Sequence, residues 1–154
     1  MKILLLSFTR SEEKYIVEGV TEFEKRIKKY NSFETKIIKA KAESNSTEQL
    51  KAEAKLLEQY FASDSIVVLM DEQGKQFTSK KFSDFLQSKM NTGIKNLVFV
   101  IGGAYGFSDE IKKKANDLIS LSPLTFPHQL AKLIFCEQLY RAFTILKGEK
   151  YHHQ

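Results

Sequence analysis

Three short segments of this chain carry residue types that could do chemistry, and each follows an apolar run. They are Met70-Asp71-Glu72-Gln73-Gly74, Gly102-Gly103-Ala104-Tyr105-Gly106 and Leu121-Ser122-Pro123-Leu124-Thr125-Phe126-Pro127. In the second, glycines without Cβ atoms would let a flat ring or a carboxylate approach the backbone, although glycines after a strand also serve simply to turn the chain. They do not match G-x-G-x-x-G, and no lysine and serine of a phosphate loop accompany them, so a dinucleotide or triphosphate site has little support. The third segment holds both prolines of the chain. Two fixed φ angles leave neighbouring amides and carbonyls outside regular pairing, where they could read an adenine edge; a plain strand-to-helix connector is the other reading.

Further along, Glu137 and Arg141 stand four residues apart and would share a helix face. Such a pair is commonly a helix ion pair worth a few tenths of a kcal/mol. With Tyr140 beside it and Tyr151, His152 and His153 in the tail, it could instead grip phosphate and stack bases. The two histidines alone do not make a metal site, because no cysteine or carboxylate spacing supports one. The single cysteine, Cys136, excludes an internal disulfide and falls in an apolar helical stretch, which predicts a buried and inert thiol.

The elements that must position these residues alternate along the 154 residues. Apolar, β-branched runs predict strands at residues 2–8, 33–40, 65–70 and 96–101, with a short fifth at 118–121. Apolar spacing of three to four residues predicts helices at residues 11–30, 47–61, around 82–90 and 128–146, and Ser108-Asp109-Glu110 has the cap and acidic first turn of another. Ser79 is the expected cap of the third of these, and residues 71–74 form a turn that ends the third strand. Strand and helix in alternation give an α/β class, a mostly parallel sheet with helices on both faces in a single domain over residues 1–154. Ligands of such sheets bind beyond the carboxyl ends of the strands, so the three loops are expected to converge.

Apolar residues make up 42% and charged residues 28% of the chain, which excludes disorder. Net charge is +5, with clusters at Lys25, Arg26, Lys28 and Lys29, at Lys36, Lys39 and Lys41, and at Lys112, Lys113 and Lys114. That balance favours polyanions such as RNA, although solvated lysine faces are also ordinary. No run approaches the ~20 apolar residues of a membrane span, and a cytoplasmic location is expected.

Taken together and in order, the segments at 70–75, 101–106 and 120–128, then Glu137-Gln138-Leu139-Tyr140-Arg141-Ala142 and Tyr151-His152, resemble the family of ribosomal RNA large subunit methyltransferase H in the SPOUT superfamily. The resemblance covers essentially the whole chain. It implies a C-terminal deep trefoil knot, a homodimer whose site is completed by the partner, and transfer of a methyl group from S-adenosylmethionine to N3 of a pseudouridine in 23S ribosomal RNA of an assembled ribosome. Carried over by motif, Met70, Gly102, Gly103, Leu121, Ser122, Pro123, Leu124, Thr125 and Phe126 would cradle S-adenosylmethionine. His128, Arg141, Tyr151 and His152 would grip the RNA and assist the transfer. Met70 stands where the family is expected to have Leu, a swap of similar volume.

Two rivals from other classes use parts of the same pattern. A non-catalytic RNA-binding or ribosome-assembly module would share the basic surface but transfer no methyl group. A nucleotide-dependent oxidoreductase would share the doubly wound sheet but needs the glycine fingerprint that is missing here.

Overall fold

The computed structural model describes residues 1–9 and 11–152. Five strands, β1 (Lys2–Phe8), β2 (Phe33–Ile38), β3 (Ser65–Gln76), β4 (Asn96–Ile101) and β5 (Asp117–Ser120), form one sheet in the order β2-β1-β4-β3-β5. Every pairing is parallel. All five carboxyl ends therefore open on one edge.

Five helices connect them: α1 (Lys14–Ile27), α2 (Ser46–Leu57), α3 (Ser79–Met90), α4 (Asp109–Lys114) and α5 (His128–Leu146). Alternate side chains of each strand point to opposite faces, so Leu97 and Phe99 of β4 face one layer while Val98 and Val100 face the other. The first layer packs α1, α3 and α5 through Ile16, Val20, Phe82, Leu86, Phe135 and Leu139. The second packs α2 and α4 through Leu57 and Ile111. The doubly covered parallel sheet is thus as the alternation predicts.

Cys136 is fully buried in α5, and burial pushes its thiol up to about 12. A pair of nearly buried charges, Lys132 Nζ and Glu12 Oε1 at 2.6 Å, pins the segment before α1 to α5. The Glu13 backbone N–H donates to Gln129 Oε1 at 2.6 Å on the same helix.

Several element ends differ from the sequence expectation. α1 begins at Lys14, because the residues just before it are tied to α5 through Glu12 and Glu13. α2 stops at Leu57 and gives way to a tighter turn over Glu58–Tyr60, with Tyr60 and Phe61 still packed on the core beside Leu57. Thr78, not Ser79, caps α3 by accepting from the Lys81 N–H at 3.2 Å; Ser79 donates instead to Gln138 Oε1 at 2.8 Å.

The largest difference lies in β3. Residues 71–74 do not end the strand but form an irregular bulge inside it, and pairing with β5 resumes at Lys75 and Gln76. Gly74 makes this possible. A Cβ there would stand 2.5 Å from the Ile119 N and 2.6 Å from the Leu118 carbonyl carbon, both backbone atoms of β5 that cannot step aside. Gly74→Ala is expected to destabilise the fold by about 1–3 kcal/mol, the usual cost of overpacking, read as a lower urea midpoint at unchanged slope.

Candidate active site

The bulge within β3 and the loops after β4 and β5 meet at the carboxyl edge around a cavity of about 450 Å³. The bulge of β3 contributes Met70, Asp71 and Gln73; Asp71 Oδ1 accepts from the Gln73 N–H at 2.9 Å and so fixes the turn. The glycine loop contributes Gly102 and Gly103, and closes on itself through a Gly106 N–H bond to the Gly103 carbonyl at 3.1 Å. Gly106 takes φ +69°, in the left-handed region that glycine tolerates. The third loop contributes Leu121, Ser122, Leu124, Thr125 and Phe126.

That loop is rigid. Ser120 Oγ donates to the Ser122 carbonyl at 3.0 Å and Ser122 Oγ accepts from the Leu124 N–H at 2.9 Å. Pro127 then ends it, its carbonyl accepting from the Ala131 N–H at 2.9 Å as α5 begins. Eight of the nine residues expected to cradle a cofactor line this one cavity; Pro123 shapes the loop without lining it. A narrower annex of about 140 Å³ continues from Met70, Leu121 and Phe126 inward to Phe77, Phe82 and Phe135.

The cavity fits a small, partly apolar cation better than a phosphorylated ligand. Its one lining lysine, Lys112, is held by Asp71 at 2.8 Å, and Glu72 adds a second carboxylate to the wall. Apolar Met70, Ile101 and Leu121 offer surface for a flat ring, while the irregular third loop offers backbone donors and acceptors.

The residues expected to act on a substrate are divided. His128, at the start of α5, is exposed and lines the cavity. Arg141, Tyr151 and His152 gather at the far end of the same helix, thirteen residues on, or roughly 20 Å at ~1.5 Å per residue. Glu137 organises this second cluster: its Oε1 accepts from Arg141 Nε at 3.0 Å and from the Tyr151 hydroxyl at 3.1 Å. Arg141 also lies over the Tyr151 ring at 4.8 Å, and its Nη1 stands 3.3 Å from His152 Nδ1. A guanidinium only donates, so His152 Nδ1 must accept and its neutral ring carries the proton on Nε2. His152 thereby offers a donor to a ligand, not a lone pair. Tyr140 packs edge-on to Tyr151 with ring centroids 4.8 Å apart. His153 lies outside the described residues.

Spacing alone suggests a Glu137–Arg141 helix pair, and no sequence signal shows that the carboxylate also holds Tyr151. Of the basic clusters, Arg26, Lys28 and Lys114 are engaged in ion pairs along their own helices, and Lys112 pairs with Asp71. Among the described residues, no group of three or more His, Cys, Asp and Glu side chains is placed to hold a metal ion. No described helix is long and apolar enough to cross a membrane.

Comparison with known proteins assigns this architecture. Residues 1–152 match the family described as "Predicted SPOUT methyltransferase". The chain belongs to the SPOUT methyltransferases. Among relatives of this SPOUT methyltransferase are proteins named ribosomal RNA large subunit methyltransferase H from Christiangramia forsetii, 45% identical, and from Flavobacterium psychrophilum, 46% identical, each alignment covering all of both chains. A probable methylase family protein from Haemophilus influenzae shares the fold with a TM-score of 0.51 over 99% of this chain and 70% of its own, at 11% identity. Membership in a methyltransferase family decides against the oxidoreductase and against a non-catalytic module.

Burial first, and the Glu137 carboxylate second, push the Tyr151 phenol above its ordinary value. Tyr151 therefore stays protonated at neutral pH and serves as a donor. A phenol with a raised folded-state pKa contributes stability below about pH 10, the unfolded value, and loses it as pH rises through the folded value. Glu137→Ala is expected to lower that phenol's titration midpoint, followed by absorbance at 295 nm, with Tyr151→Phe identifying the step.

Proposed function

We propose that this chain transfers the methyl group of S-adenosylmethionine to N3 of a pseudouridine in 23S ribosomal RNA of the large ribosomal subunit. The observation that carries this reading is the convergence of the β3 bulge and the loops after β4 and β5 on a single cavity, in a chain whose full-length relatives are named for methylation of large-subunit ribosomal RNA. The chain acts as one domain in the cytoplasm, as a homodimer, with the third loop and α5 forming a trefoil knot.

Met70, Gly102, Gly103, Leu121, Ser122, Pro123, Leu124, Thr125 and Phe126 hold the methyl donor, by side chain or by loop shape. When bound, the donor supplies an electrophilic methyl on a sulfonium, so the protein needs no nucleophile of its own. What remains is orientation and removal of one proton. His128 removes the proton in this reading, which its exposure at the border of the donor cavity supports. Arg141, Tyr151 and His152 present donors suited to phosphate and base oxygens, with Glu137 fixing the first two.

The separation along α5 supports the dimer. One chain cannot bring Arg141 to its own donor cavity, whereas a second copy can bring its far helix end there. Exposed Leu124 and Tyr105, 73% and 58% accessible at the rim of the cavity, are apolar surface for such a partner.

Two measurements test the reading. Labelled methyl transfer to ribosomes from a strain lacking this gene, with mass mapping, is expected to yield one methylated pseudouridine in large-subunit RNA; no transfer would overturn it. Arg141→Ala and Thr125→Trp, a variant that fills the cavity, are each expected to be inactive alone. Mixing the two after subunit exchange is expected to restore activity, because one mixed site is intact. Lasting inactivity of the mixture would show that each chain works by itself.

A further inference from the structure

A second cavity, of about 420 Å³, adjoins the first and shares Gly103, Ala104, Tyr105 and His128 with it. It lies beyond the carboxyl ends of β1 and β4, reaching Phe8 and Thr9 at the end of β1. These two neighbouring strands send their chains in opposite directions, β1 to β2 on one side and β4 past β3 to β5 on the other. A parallel sheet opens its ligand crevice at such a reversal.

Glu53 of α2 lines this cavity and is only 7% exposed. A buried carboxylate is costly unless ion-paired or fully hydrogen-bonded. Among the described residues Glu53 has no ion pair, and its one hydrogen bond comes from Gln49 Nε2 to Oε1 at 2.9 Å. The Gln49 amide cannot turn over, because its Oε1 accepts from the Glu43 N–H at 3.0 Å. Among the described residues Oε2 makes no hydrogen bond. The carboxylate lies flat on Gly103, the glycine that divides the two cavities: a Cβ there would stand 2.6 Å from Oε1 and 2.9 Å from Oε2.

The lining decides what such an acceptor takes. Among the described lining residues the charged ones are Glu43 and Glu53, whose sign suits a hydrogen-bond donor better than a phosphate. The Phe8 and Tyr105 rings suit the face of a base, with His128 at the border to the donor cavity. A neutral heterocycle with an N–H aimed at Glu53 satisfies every wall.

We infer that this cavity receives the base to be methylated and that Glu53 accepts the N1–H of pseudouridine, the donor that uridine lacks because its N1 carries the ribose. The inference rests on the methyltransferase reading above. A uridine in the cavity would cover Oε2 and offer it no donor, and a site built around such a hydrogen bond rejects the analogue that lacks it. Glu53 is then the residue that makes prior pseudouridylation matter, with Gln49 positioning it.

The experiment compares kcat/KM of the full-length enzyme on ribosomes carrying pseudouridine at the target with ribosomes carrying uridine there, from a strain lacking the pseudouridine synthase. The wild type is expected to prefer pseudouridine by at least ~100-fold. Glu53→Ala is expected to narrow that preference at least tenfold while the S-adenosylmethionine Kd, from calorimetry, changes less than threefold. Glu53→Gln keeps the shape and one acceptor oxygen, and is expected to fall between. A wild-type preference near one, or an unchanged preference in both folded variants, overturns the inference. So does a loss of donor affinity as large as the loss of turnover, which would put Glu53 in the donor site. Wild-type transfer to neither ribosome would instead overturn the underlying reading of the reaction.

Discussion

The close approach of β5 to β3 across Gly74 is the contact on which the cavity at the carboxyl edge depends. β5 has four residues, too few to hold an edge by pairing alone, and it stays because the bulge in β3 lets pairing resume beyond Met70. Any side chain at position 74 would push into the β5 backbone. With β5 displaced, the rigid loop that follows it would no longer face the glycine loop after β4. One missing Cβ thus sets the distance between two walls of the site.

Much of this is legible in the residues, for reasons of period and chemistry. β1 and β4 are short, unbroken apolar runs because both faces of the central sheet are covered, and their ends match the pattern. α5 runs from His128 to Leu146 as its proline start and glycine stop imply. The cavity-lining segments are readable as a set because glycines and prolines mark backbone that regular structure cannot use. The bulge at 71–74 reads wrongly as a strand end, since turn-forming residues look the same whether a chain leaves a sheet or only arches over a neighbour.

Contact across long separations is what the residues do not disclose. Nothing in the sequence brings Glu53 to Gly103, which lie on elements fifty residues apart and meet only because α2 crosses the end of β4. Nor does a four-residue spacing reveal that Glu137 holds a tail tyrosine as well as Arg141. Ion pairs on helices are common, and only the folded neighbourhood separates the ordinary one from the hub.

α5 also fixes a phase. Lys132, Phe135, Cys136, Leu139, Ala142 and Phe143 are buried along it, while His128 and Arg141 stand near its two ends. Each residue of an α-helix advances about 100° around the axis and ~1.5 Å along it. One residue inserted or removed between the ends would turn the Arg141 cluster by more than a quarter of a circle relative to His128, and would drag apolar residues out of register with the sheet. Changes of length that the surface loops absorb are closed to this helix, so its nineteen residues act as a gauge of both distance and angle.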